Sequence, residues 1–239
     1  MKIVKKMALI IFAIIPFQGC ANKVASSNFL NYQTKANLIF PLRGESLVVH
    51  GGREIEQNAH ASEKDQRFAI DVVAIKQGRS ALQEQGIAAL ATVTYEGDQK
   101  KNESYYIYGR DVIAPASGRI VDILDRIPDA IPSESHYDFK QPAGNYIVID
   151  HGNNEFSMLA HLKKGSLVVN KGDLVVAGEI IGSVGNTGNS TEPHLHYHLQ
   201  NTSQWRNGEG LPAQFQNYIS NGKFIHRGEP VRGQIIESK

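Results

Sequence analysis

The sequence predicts a mainly β protein built from antiparallel sheet, on three observations. Between residues 112 and 200 the apolar residues come in short runs rich in Val, Ile, Leu and Tyr, without a sustained helical period. Gly, Asn and Pro punctuate those runs at close intervals, as turns do. The run His194 to Gln200 alternates: Leu195, Tyr197 and Leu199 fall on one face of an extended strand, and His194, His196 and His198 on the other.

Taken in chain order, Lys2, Lys5 and Lys6 precede an apolar run from Met7 to Phe17. That run is short of the roughly 20 residues that span a bilayer but suits a secretory signal, so residues 1–19 are read as a signal peptide. Cys20 is the sole cysteine, which excludes an intrachain disulfide. Phe17-Gln18-Gly19-Cys20 resembles a bacterial lipoprotein cleavage site, with Phe17 and Gln18 departing from its usual residues; the alternatives are a lipidated Cys20 and ordinary cleavage nearby. Residues 20–40 are Ser/Asn/Lys-rich and read as a tether. A folded domain is expected over 41–215, with residues 216–239 as a C-terminal extension packing on it or trailing it.

Within the domain, Ser80 to Ala91 has helical composition, and Gly97 to Ser104 reads as a polar excursion. Strands are predicted at Val112–Ala116, Gly118–Leu124, Tyr146–Asp150, Glu155–Leu162, Ser166–Val169, Leu174–Val176, Ile180–Val184 and His194–Gln200. His151-Gly152-Asn153-Asn154 supplies the turn of a hairpin that carries His161 near the far end of its second strand.

Charge excludes one class of partner. Loss of residues 1–19 removes three lysines and no acid, which takes the formal charge from +1 to about −2, and no Lys/Arg block or basic patch interleaved with aromatics follows. No nucleic-acid partner is expected, and the chain is read as a monomer.

His194 and His196, roughly 6 to 7 Å apart along one strand face, look into a common space. Two such imidazoles suit a zinc site, but a catalytic zinc needs three protein ligands with one position left open. No His-Glu-x-x-His helix is present, and the Gly-rich 182–189 segment lacks the Lys-Ser/Thr ending of a phosphate-binding loop.

Further residues carry a family resemblance. His60 and Asp71, Gly144 to Gly152, Leu159-Ala160-His161-Leu162, Gly178 to Gly188 and Pro193-His194-Leu195-His196 occur in the order seen in M23 (lysostaphin/LytM-type) zinc metallopeptidases. The chain resembles that family from about Gly51 to Pro212. The resemblance implies antiparallel sheets forming an open groove, with short helical insertions. It also implies an exported zinc metalloendopeptidase that cleaves the peptides of bacterial peptidoglycan by zinc-activated water. His196 and Asp71 correspond to zinc ligands, and His161 and His194 to the two catalytic histidines that do not bind metal, their separate roles left open.

The commonest pattern has a ligand His four residues before the Asp, where this chain has Arg67. One branch of the family carries segments that Asn58-Ala59-His60 and Gln66-Arg67-Phe68-Ala69-Ile70-Asp71 resemble, which assigns His60 as the remaining ligand; His50 and His151 stand as alternatives. His198 and Glu192 depart from many relatives, Glu192 at the groove rim. The implied location is the cell envelope, with Cys20 as a possible membrane anchor. Two other readings stay open: a non-catalytic module of the same fold that binds peptidoglycan or regulates an envelope partner, and zinc-dependent action on a different peptide.

Overall fold

The computed structural model describes residues 23–77, 92–134 and 140–239. The signal peptide expected at residues 1–19, Cys20 and the helix-like composition of Ser80 to Ala91 lie outside the described residues. Described strands are β1 (Gly44–His50), β2 (Ile70–Val73), β3 (Lys76–Gln77), β4 (Thr92–Val93), β5 (Asp111–Ile113), β6 (Gly118–Leu124), β7 (Asn145–Asp150), β8 (Phe156–Leu162), β9 (Leu174–Val175), β10 (Ile180–Ser183), β11 (Leu195–Gln200), β12 (Gly210–Leu211), β13 (Phe215–Ser220), β14 (Lys223–Gly228) and β15 (Ile235–Ser238). Two 3₁₀ turns, Ala59–Ser62 and Asn102–Ser104, are the described helical pieces.

Eleven strands form one sheet in the order β14-β13-β15-β1-β2-β11-β8-β7-β6-β9, with β12 paired to β11; β5–β10 and β3–β4 make two small pairs. Every ladder is antiparallel, so the fold is mainly β with open sheets. Residues 216–239 contribute β14, β15 and most of β13 to the large sheet.

Alternation along the central strands decides what each face holds. Ile70, Val72, Leu159, Leu195, Tyr197 and Leu199 point into the main core, where Phe40, Leu42, Val112, Ile181 and Phe215 meet them. On the other face Val148, Met158 and Ala160 form a smaller cluster with Tyr146, Phe156 and Trp205. The polar members of β2 and β11, Asp71, His196 and His198, lie on that second face, away from the main core.

The β7–β8 hairpin turns at Gly152, Asn153 and Asn154, all at positive φ, as the turn residues predicted. By contrast, Ser166–Val169 does not form a strand. The Asp125 carboxylate takes the backbone N–H groups of Gly165 (2.7 Å) and Leu167 (3.2 Å), which diverts donors a ladder would need.

Residues 25–36 are fastened to the sheet. Glu155, fully buried at the hairpin turn, accepts from the Tyr32 hydroxyl (2.9 Å), the Lys35 N–H (2.5 Å) and the Ala36 N–H (2.7 Å). Ala25 N–H donates to the Ala61 carbonyl (2.8 Å), and Asn28 donates to Glu209. A buried carboxylate needs such donors, and here the entering chain supplies them.

Candidate metal centre

Asp71 and His196 are direct cross-strand partners in the β2–β11 ladder, so their side chains leave the sheet together. Asp71 Oδ1 lies 2.8 Å from His196 Nδ1, and its Oδ2 lies 2.8 Å from His60 Nε2. His60 arrives from the 3₁₀ turn at Ala59–Ser62. Asn58 caps that turn by accepting the His60 N–H on its side-chain oxygen (3.1 Å), while its amide nitrogen donates to the carbonyls of Gly52 (3.1 Å) and Ala69 (3.0 Å). The fully buried Asn58 thus ties the turn to the residue before β2, which fixes His60 against Asp71.

One ligand-type atom from each of His60, Asp71 and His196 falls within 4.8 Å of the others. Two imidazole nitrogens on one carboxylate demand positive charge between them, whether a proton or a metal ion. Burial alone would raise the Asp71 carboxyl, but the charge on His60 and the hydrogen bonds from both histidines outweigh it and hold Asp71 well below its usual range. His60 is raised despite burial, through the Asp71 charge and hydrogen bond; His196 is lowered, burial being the largest cause.

Beside this trio stand His161 and His194, with ring centroids 4.6 Å apart. His194 Nε2 lies 3.9 Å from Asp71 Oδ1. His161 has φ 60°, an uncommon left-handed conformation for a non-glycine residue. The β7–β8 register shifts between Asn145 and Ile147, opposite this point. That kink lets Ala160 and His161 share the site face while Leu162 returns to the main core. Carbonyl oxygens can only accept. His161 Nδ1 therefore donates to Thr187 O (2.7 Å), His194 Nδ1 donates to Glu192 O (2.9 Å), and both leave Nε2 free. Burial, then the neighbouring His194 and His196 charges, push His161 well below the usual histidine range, so it stands neutral.

The remaining histidines divide. His50 faces Asp71 across the β1–β2 ladder after a register shift between Val48 and His50, with its ring 5.8 Å from that of His60. His151 is turned elsewhere, both nitrogens engaged by Ser117 O (2.9 Å) and Ser157 Oγ (2.7 Å). Arg67, where the commoner pattern has its His, is buried, donates to Arg53 O (2.9 Å) and lies over the Phe68 ring. His198 lies behind His196, Nδ1 2.9 Å from His196 Nε2. The placing of His50, the clamp at Asn58 and the kink at His161 were not read from sequence; only the Asn-x-His spacing pointed toward Asn58.

Residues 103–208, which contain His161, His194 and His196, match the family model described as Peptidase family M23. His60 and Asp71 precede the matched segment. The chain is 53% identical over 57 residues to the peptidoglycan DD-endopeptidase ShyA of Vibrio cholerae serotype O1, covering 24% of this chain and 13% of that protein. It is 43% identical over 61 residues to the DD-carboxypeptidase/endopeptidase Mpg of Neisseria meningitidis serogroup B, covering 26% and 14%. The chain thus spans less than two thirds of these relatives, the aligned stretches amounting to 13% and 14% of their lengths. The catalytic domain of lysostaphin from Staphylococcus simulans aligns with a TM-score of 0.34 at 23% identity, covering 57% of this chain and 96% of that one. Over residues 103–208 the chain is thus similar to peptidase family M23.

Proposed function

We propose that this chain is an exported zinc metalloendopeptidase that hydrolyses peptide bonds of bacterial peptidoglycan. The observation that carries the reading is the convergence of His60, Asp71 and His196 within 4.8 Å, beside two histidines that each present a free Nε2. Two imidazoles and one carboxylate are a donor set that zinc takes in catalytic sites. Zinc bound there supplies polarisation of a carbonyl and activation of water. The chain's own part is to place and protonate. Held neutral, His161 accepts a proton at Nε2 and returns it to the leaving amine; His194 does the same or, once protonated at Nε2, donates to the developing oxyanion. Their Nδ1–H bonds to fixed carbonyls keep both rings in the required tautomer.

The substrate class comes from similarity to proteins named as peptidoglycan DD-endopeptidases, and export from the basic and apolar pattern of residues 2–17. A lipidated Cys20 would hold the enzyme at an envelope membrane. The test is release of soluble fragments from purified peptidoglycan by the zinc-loaded protein, with loss in the Asp71→Ala variant. One zinc per chain with no cleavage of any cell-wall peptide would replace this reading with that of a binding module.

A further inference from the structure

We propose that His198 and Gln200 form a positioning relay that fixes the tautomer of His196 and so sets the metal affinity of the centre; this rests on the metal-site reading above. The relay runs along one face of β11, where residues 196, 198 and 200 share a side by the two-residue period. All three are buried, His198 and Gln200 almost completely. That burial strengthens the contacts between them.

The direction of every proton follows from the far end. Thr202 contributes a carbonyl oxygen, which can only accept, and the Gln200 side-chain nitrogen donates to it at 2.8 Å. That orients the amide, leaving Gln200 Oε1 to face His198 Nε2 at 3.2 Å. An amide oxygen only accepts, so His198 carries its proton on Nε2 and offers a lone pair at Nδ1. That lone pair meets His196 Nε2 at 2.9 Å, so His196 carries its proton on Nε2. His196 Nδ1 faces the Asp71 carboxylate at 2.8 Å, a contact that needs a proton or a metal ion between the two atoms, and with the relay holding the Nε2 proton the Nδ1 lone pair is the one a metal ion would take in place of that proton. A reversed relay would put a proton on the nitrogen that has to bind. The chain therefore uses a neutral imidazole and an amide to orient its ligand, without burying a further charge.

The test measures zinc affinity of the full chain by competition with a chromophoric chelator, and the His196 tautomer from ¹⁵N chemical shifts. Gln200→Leu removes the acceptor at the head of the relay. It is expected to weaken zinc binding by about tenfold or more and to lose the single Nε2–H form of His196. Gln200→Glu keeps an acceptor facing His198 and is expected to hold near-parent affinity. Should Gln200→Leu fail to fold, His198→Phe interrupts the relay while filling the space, with the same loss expected. Gln200→Leu or His198→Phe chains that fold and bind zinc as tightly as the parent, with His196 unchanged, would overturn the relay. A parent chain that binds no zinc would instead overturn the metal-site reading.

Discussion

Gly144 packs so closely against Thr187 that a Cβ at 144 would overlap both the Thr187 hydroxyl and its carbonyl, and Gly144 holds φ 62°. That carbonyl anchors His161. A Gly144→Ala variant must therefore strain its own backbone and push away the wall that orients His161, proposed above to act in catalysis. The expected cost is about 2–3 kcal/mol of stability, read by chemical denaturation, together with a fall in turnover.

His161 itself offers a sharper separation of roles. Its Nε2 is free and it is not one of the three convergent ligand residues. His161→Ala is expected to keep full zinc content and to lose about 10²- to 10⁴-fold in turnover on peptidoglycan peptides. Zinc loss in this variant, measured by atomic absorption, would place His161 in the metal shell.

His60 and His50 both approach Asp71, but only His60 Nε2 reaches it, at 2.8 Å. The His50 Nδ1 instead faces the Ala59 N–H at 3.5 Å, the outer limit of a hydrogen bond. We expect His60→Ala to lose zinc and His50→Ala to retain it, both by metal analysis after dialysis. Zinc retention in His60→Ala would show that His50 can take its place.

How far the sequence foretold this site depends on the kind of geometry involved. Strand period alone put Leu195, Tyr197 and Leu199 on one face and the three histidines on the other, and the structure has them so. The hairpin that carries His161 was equally legible from its Gly-Asn-Asn turn. The rest depends on breaks in periodicity. A regular β8 would send His161 to the same face as Leu159; its left-handed φ reverses that, and nothing local in Leu159-Ala160-His161-Leu162 announces it. The shift between Val48 and His50 is of the same kind. Strands β1 to β4 and β12 to β15 were not predicted; β2 to β4 and β12 are only two to four residues long, and β1 and β14 mix polar and apolar residues, Ser46 being buried within β1 and β14 largely exposed. Such strands exist through their neighbours in the sheet.

Acid should loosen the entering chain before it reaches the sheet. The Lys64 ammonium beside Glu209, at 2.8 Å, chiefly holds that carboxyl below its ordinary 4.5, with help from Asn28. A depressed folded-state value means that ionised Glu209 favours the fastened segment above pH 4.5, and that the contribution drains away as pH falls through the folded value. The Asn28 amide resonances are expected to shift toward free-chain positions between pH 4.5 and lower values, and Glu209→Gln to show that position already at neutral pH.

Asp71 and His196 stand 125 residues apart in the chain, and they meet only because β2 docks beside β11. Closing so long a loop is a slow, non-local event in folding. A chain that has made its β7–β8 hairpin but not this junction already pairs Val148 with Met158, yet keeps Asp71 and His196 apart. Assembly of the central sheet is thus itself a timing device for the proposed centre: only molecules whose two distant halves have joined bring His60, Asp71 and His196 within reach of one ion.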